Sequence, residues 1–179
     1  MKLHRMTDRS DPAFSAVWQL YLQSFPPCER RSETDHLRAM EDGDFYCCAA
    51  MEDGEPAALA FYWKTEDFLY LEHLAVRPEL RGKQYGTRVM KLLMQEHPRL
   101  ILEIEFPTDE QTRRRKAFYE RLGFTAEDFG HYQYPYQAGT EGVSLLIVSN
   151  PAVSPQEYRS FHRYWTERVL SYTPHGNRA

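Results

Sequence analysis

Apolar residues along this 179-residue chain recur first at helical spacing, then at strand spacing, then in alternating blocks of both. Residues 2–6 read as a short strand. Asp11-Pro12 marks a helix start, with Asp as N-cap and Pro at the first helical position. Phe14, Val17, Trp18, Tyr21 and Phe25 follow on one helical face as far as Pro26-Pro27. Ser32 and Asp35 are spaced as a cap for a second helix carrying Leu37 and Met40, stopped by Gly43. Phe45–Met51, a turn at 52–55, Pro56–Trp63, a turn at 65–67 and Phe68–Val76 then read as an antiparallel meander.

Beyond a loop, Val89, Met90, Leu92 and Leu93 mark a helix reaching about His97, and Leu100–Phe106 is a strand rich in branched residues. A strand, a helix and a strand in that order predict a parallel pair, 68–76 with 100–106, joined by a right-handed crossover. A helix over about 112–122 closes on Gly123-Phe124 as its C-cap. Strands near 124–134 and 143–149 come next. Ser154-Pro155-Gln156-Glu157 is a capping box that opens a last helix with Tyr158, Phe161, Trp165 and Val169 on one face. The pattern predicts one α+β domain over 1–179. Its sheet is mixed and mostly antiparallel with one splayed parallel pair, helices lie on both faces, and 151–179 forms a C-terminal helical extension.

Composition narrows the chemistry. A net charge of −4 gives no basic field for nucleic acid, and the 14% aromatic content, with 12 Tyr, suits aromatic-lined surfaces. The mild acidity suits a cationic substrate, although it is also ordinary for a cytosolic protein. Three cysteines, Cys28 and the adjacent Cys47-Cys48, make neither a disulfide framework nor a metal set, so reduced thiols and no metal are expected. No signal peptide and no membrane-length apolar run are evident, and a soluble, cytoplasmic protein without membrane partners is expected.

One stretch combines the chain's signals. From Leu71 to Arg88 it runs as a strand, breaks at Pro78, turns through Arg81 to Gly86 and enters a helix. A glycine-bearing loop delivered onto a helix N-terminus is an anion site, because loop N–H groups and the helix dipole both favour negative charge.

Two blocks in this order resemble the GNAT superfamily of acetyl-CoA-dependent N-acyltransferases. They are Leu74-Ala75-Val76-x-Pro78 followed by Arg81-Gly82-Lys83-Gln84-Tyr85-Gly86, and Ala117-Phe118-Tyr119-Glu120-Arg121-Leu122-Gly123-Phe124. The resemblance covers roughly residues 1–149. It implies a GNAT-like fold and an N-acetyltransferase that passes acetyl from acetyl-CoA to a primary amine by direct attack in a ternary complex. It also implies that the pantetheine arm lies between the strands at 68–76 and 100–106 and pairs with the backbone of Leu74, Ala75 and Val76. The pyrophosphate then faces Arg81, Gly82, Lys83, Gln84, Tyr85, Gly86 and Thr87. Two positions depart from the family pattern: Gln84 stands at its first glycine, and Thr112 where an asparagine is frequent. Weaker or displaced coenzyme binding is expected, and a GNAT-like acyl-CoA-binding or sensor domain with little catalysis is the alternative.

Glu72 is the candidate general base, placed by strand alternation on one face with Tyr70, Leu74 and Val76; a strand-end ion pair with an arginine is its structural alternative. Tyr119 is the candidate acid for the leaving thiolate, where the resemblance puts a family tyrosine. Glu103 and Glu105 are expected to pair with the cluster Arg113 to Lys116, the alternative being that one of the two faces the amine site, and His73 is expected to pack. On the acceptor side, Glu29, Arg30, Arg31, Tyr134 and Tyr136 are the candidates. The glutamate and tyrosines suit a cation, whereas the arginines suit a carboxylate. A small-molecule amine is the expected acceptor, with a peptide amine as the other option. The C-terminal helix caps the domain or meets a second copy in a homodimer.

Overall fold

The computed structural model describes residues 1–175, so positions 176–179 of the expected C-terminal extension lie outside the described residues. Two compact units emerge: Met1–Pro26 with His36–Leu100, and Pro27–Asp35 with the chain from Ile101 on.

In the first unit, β1 (Lys2–Met6) pairs antiparallel with β2 (Phe45–Glu52), and β2, β3 (Glu55–Lys64) and β4 (Leu69–Val76) form the expected antiparallel meander. The β2–β3 turn is Asp53-Gly54, with φ of 52° and 87°. Positive φ at both residues is what a two-residue hairpin matched to strand twist requires. Residues 56–63 of β3 are all buried, as a strand covered on both faces must be.

Helix α1 (Phe14–Ser24) buries Phe14, Val17, Trp18 and Tyr21 as its spacing predicted. It starts later than Asp11-Pro12 suggests. Asp11 Oδ1 accepts from Ala13 N–H at 2.9 Å and its carbonyl from Phe14 N–H, so the aspartate closes a turn before the helix instead of capping it.

Helix α2 (Glu33–Met40) has the expected Ser32 cap, with Ser32 Oγ accepting from Asp35 N–H at 3.1 Å. Its buried face is His36, Ala39 and Met40, and Leu37 stays half-exposed. The His36 ring lies 5.1 Å from Trp18 and 4.9 Å from Phe61, with Nε2 3.4 Å from Cys47 Sγ. An imidazole with aromatic neighbours packs as a core residue, which a polar-versus-apolar reading misses. Helix α3 (Tyr85–Glu96) buries Val89, Met90 and Leu93.

In the second unit, β7 (Val143–Asn150) lies between β5 (Leu100–Glu105) and β6 (Thr125–Gln133). Helix α4 (Glu110–Arg121) begins two residues before the expected Thr112, because Asp109 is its N-cap in a reciprocal box with Thr112. Gly123, at φ 86°, ends the helix as expected, with Phe124 N–H returning to Tyr119 O at 3.1 Å. Helix α5 (Pro155–Tyr164) carries the Ser154–Glu157 capping box. It does not continue regularly: a π-helical turn at Trp165–Val169 and a 3-10 turn at Leu170–Tyr172 follow. The fold class is therefore α+β, with mostly antiparallel strands. Among the described residues no helix is long and apolar enough to cross a membrane.

Candidate active site

The loop after β4 has the geometry its sequence predicts. Pro78–Leu80 makes one 3-10 turn, Gly82 takes φ 74° and Gln84 φ 63°, and α3 starts at Tyr85. Two amides are already used inside the loop: Arg81 N–H goes to Pro78 O and Lys83 N–H to Leu80 O, at 3.2 and 3.3 Å. The first-turn N–H groups of Tyr85, Gly86 and Thr87 precede any intrahelical acceptor and emerge at the positive end of the helix dipole. The Gln84 side chain makes no cap hydrogen bond to them. Arg81 turns back, donating from Nε to Val76 O at 3.2 Å, which ties the loop to the strand end. Arg88 Nη2 donates to both oxygens of Glu52 at 2.8 and 2.9 Å, and the Met1 amino group shares that carboxylate at 2.7 Å. These partners hold the Glu52 carboxyl below its ordinary range, the chain's amino group being the larger cause.

Strand β4 corrects one expectation. Phe61 of β3 faces His73, but the next residue, Tyr62, faces Leu71, so a bulge inserts Glu72 between them. Strict alternation fails there. Tyr70 opposite Trp63 and His73 opposite Phe61 share a face although they stand three positions apart. Glu72 reaches that same side, where its Oε2 accepts Trp63 Nε1–H at 2.9 Å. Leu74 and Val76 pair with Ala60 and Ala58, on the other face. His73 packs as expected, 4.8 Å from Tyr21 and 4.6 Å from Phe25.

Cys47 and Cys48 are buried on opposite faces, beside His36 and Tyr62 respectively. Burial pushes the Cys47 thiol well up and Cys48 to about 11, so neither is a ready nucleophile.

The second unit holds the other candidates. Tyr119 is buried on α4 against Phe118 and Phe124, at 5.0 and 5.9 Å. Burial pushes its phenol up to about 12, with Arg115 opposing and Glu105 reinforcing. Thr112 is occupied locally: its hydroxyl accepts from Asp109 N–H at 3.1 Å and donates to Asp109 Oδ1 at 3.0 Å. Glu105 pairs with Arg115 as expected. Arg114 and Lys116 pair instead with Glu110 and Glu120 on their own helix.

Glu103 does not join that cluster. Its Oε1 lies 2.5 Å from His131 Nε2, and His131 Nδ1 lies 3.1 Å from Tyr158 Oη. His131 and Tyr158 were not among the sequence candidates. They lie 28 and 55 residues after Glu103, on β6 and α5, and no local spacing announces such a chain. Gly130 beside His131, a glycine inside a strand, was the one available signal.

Of the acceptor candidates, Glu29 is half-buried, and burial followed by the charge of Glu105 raises its carboxyl. Arg31 and Tyr136 are buried at 1% and 0% exposure. Arg31 Nη2 donates to Val169 O at 3.4 Å, and Tyr136 N–H donates to Cys28 O at 2.8 Å. These two hold the 27–35 link in place. Arg30 offers its carbonyl to Gln137 Nε2 at 3.2 Å, and Tyr134 is 43% exposed. Among the described residues no group of three or more His, Cys, Asp or Glu is placed to hold a metal.

Comparison with known proteins bears on family and fold. The profile of the acetyltransferase (GNAT) family matches residues 14–124. A GNAT-family acetyltransferase structure from Bacteroides thetaiotaomicron superposes with a TM-score of 0.88 at 27% identity, covering 94% of this chain and 98% of that one. The ribosomal-protein-S18-alanine N-acetyltransferase of Escherichia coli gives 0.60 at 22% identity, over 83% and 91%. Arabidopsis thaliana Naa50, in complex with the bisubstrate analogue CoA-Ac-MVNAL, gives 0.58 at 16%, over 83% and 96%. The curated proteins contain no sequence match to the chain.

Proposed function

The chain belongs to the GNAT acetyltransferase family, and on that premise we propose that it transfers an acetyl group from acetyl-CoA to a primary amine by direct attack in a ternary complex. The observation that carries this reading is the strand–turn–helix of β4 and α3. Left-handed Gly82 and Gln84 turn the chain so that the Tyr85, Gly86 and Thr87 amides lead the helix. Such amides receive a pyrophosphate. Exposed Lys83 adds charge to the same loop. The backbone of Leu74, Ala75 and Val76 receives the pantetheine amides. Glu72, its carboxylate oriented by Trp63, removes a proton from the amine nitrogen during attack.

Tyr119 meets the leaving sulfur. A phenol near 12 is a weaker acid than a thiol near ~8.5 by ~3.5 pH units, or roughly 5 kcal/mol. Its role is therefore to donate a hydrogen bond as negative charge develops on sulfur and to keep its own proton, the released thiolate protonating from solvent.

The acceptor amine, from a small molecule or a peptide terminus, is bordered by Glu29, Arg30 and exposed Tyr134, with Arg31 and Tyr136 acting indirectly by holding their segment. A second reading is an acyl-CoA-binding domain with little catalysis. Gln84 in a glycine conformation and Thr112 engaged in its cap favour it.

Calorimetry with acetyl-CoA followed by an acetylation assay over an amine and peptide panel separates the two. Transfer is expected to fall ~100-fold in Tyr119→Phe and Glu72→Gln at nearly unchanged coenzyme affinity. No acetyl-CoA binding at millimolar concentration overturns both readings, and binding without acceptor-dependent turnover leaves only the second.

A further inference from the structure

The first unit has an open cavity of about 630 Å3 that takes no part in the transfer proposed above. It lies where β1 and the end of β2 meet the turn that precedes α1. Met1, Lys2 and His4 line it from the β1 side, Asp11 from the turn, and Met51 and Asp53 from β2 and its hairpin. A volume of that size is usual for small-molecule sites, which combine apolar walls with a few convergent polar groups.

His4 and Asp11 are an oriented pair. Asp11 Oδ2 lies 2.7 Å from His4 Nε2, and its Oδ1 is held by Ala13 N–H at 2.9 Å. A carboxylate only accepts, so the proton sits on Nε2, and the neutral ring offers a bare Nδ1 as an acceptor. The His4 side chain is 44% exposed and therefore reachable, whereas its partner is 15% exposed.

Two opposite charges stand beside this acceptor. Lys2 pairs with Met51 in the register of β1 with β2, and Asp53 comes two residues after Met51. Diagonal neighbours of that kind lie roughly 7–8 Å apart, a span that one small molecule bridges. Lys2 and Asp53 are both exposed, and among the described residues neither has an ion-pair partner. Asp11 is already engaged by its two hydrogen bonds, so the two open charges sum to zero. A ligand with a single charge satisfies one of them and leaves the other unpaired. A zwitterion satisfies both.

We propose that this cavity binds a free α-amino acid with an aromatic side chain. The ligand carboxylate meets the Lys2 ammonium. The ligand ammonium donates to Asp53 and to His4 Nδ1. The ring lies against Met1 and Met51, because thioether sulfur makes favourable contacts with aromatic rings. The inference goes beyond the acyltransferase reading and stands without it, since no residue of the cavity is assigned there to the coenzyme or the acceptor.

Calorimetry on the full chain with L-phenylalanine is the test. Its two controls are L-phenylalaninamide, which lacks the carboxylate, and N-acetyl-L-phenylalanine, which lacks the ammonium. Each control should bind ~10-fold more weakly or worse, through the loss of one charge-assisted contact. Lys2→Gln and Asp53→Asn should each weaken L-phenylalanine by a similar ~10-fold, and His4→Phe by less, since it removes a neutral acceptor. Asp53 has a φ of 52°, and asparagine visits that left-handed region readily, so Asp53→Asn keeps the hairpin. All three positions are exposed, and melting temperature and acetyl-CoA affinity should stay at their wild-type values.

No binding of L-phenylalanine at millimolar concentration overturns the proposal, as does equal binding of either control. Full affinity in both Lys2→Gln and Asp53→Asn also overturns it, by placing the amino acid elsewhere on the chain. Failure of the wild type to bind acetyl-CoA overturns the acyltransferase reading instead and leaves this site standing.

Discussion

Gln84 shows most directly how one residue can oppose its surroundings. The loop requires left-handed backbone at 84, and a side chain there carries a penalty of about 1–2 kcal/mol that glycine escapes. Glycine in turn loses about 0.5–1 kcal/mol more backbone entropy on folding. Gln84→Gly should therefore change thermal stability little while tightening acetyl-CoA binding severalfold, as the side chain no longer crowds the amides. Calorimetry on the two proteins checks this, and unchanged affinity in the glycine variant would remove the Gln84 side chain from the coenzyme site. The departure at 84 was legible from sequence because the motif around it was. The carboxylate at 103 was read correctly as a strand residue, yet its partner was misassigned to the nearby arginines. Spacing reveals partners within a turn or two, whereas His131 is brought there by tertiary contact.

At the scale of elements, the caps were the most readable features. Ser154, Pro155 and Glu157 announce α5, and the structure has both hydrogen bonds of the box, Glu157 N–H to Ser154 Oγ at 3.3 Å and Ser154 N–H to Glu157 Oε2 at 2.7 Å. Ser154→Ala should cost about 1 kcal/mol in thermal or denaturant unfolding, with activity retained. A loss of turnover without a loss of stability would mean that the cap does more than hold the helix. The β4 bulge was not readable. Leu71-Glu72-His73-Leu74 alternates well enough on paper, and the insertion shows only in the register with β3, where Phe61 and Tyr62 skip one residue of the partner. A one-residue slip of this kind reverses which face every later side chain takes. It separates Glu72 from Leu74 and Val76, residues that period-2 counting groups together.

For the molecule as a whole, pH acts through two opposed sets of carboxyls. Asp8, Glu52, Glu79 and Asp109 are held below their ordinary range, chiefly by hydrogen bonds. Such groups stabilise the fold above the carboxylates' unfolded range, and that contribution is lost as pH falls through their lowered values. Glu29 has the opposite sign. Its raised carboxyl favours the fold while protonated, and that contribution is lost as pH rises above the ordinary glutamate range through its higher folded value. Thermal melts should therefore show stability falling below about pH 4. Glu29→Gln should melt higher than wild type at pH 7 and no differently at low pH. An unchanged melting temperature at pH 7 would show that Glu29 carries no such strain. A carboxylate kept at a cost to stability fits a residue retained for acceptor recognition.

The amino-acid sequence by itself determined what depends on neighbours a few residues apart. The α+β order of elements, their capping residues, the left-handed turn after β4 and the two motif blocks of the family are all set by local steric preference and periodicity. Only the tertiary structure decided what depends on register and on residues far apart in the chain. It set the bulge that turns Glu72 toward Trp63, the burial that raises Tyr119, and the junction of β5, β6 and α5 that aligns Glu103, His131 and Tyr158. Hydrogen-bond direction and desolvation act through space, and distance along a chain does not encode them.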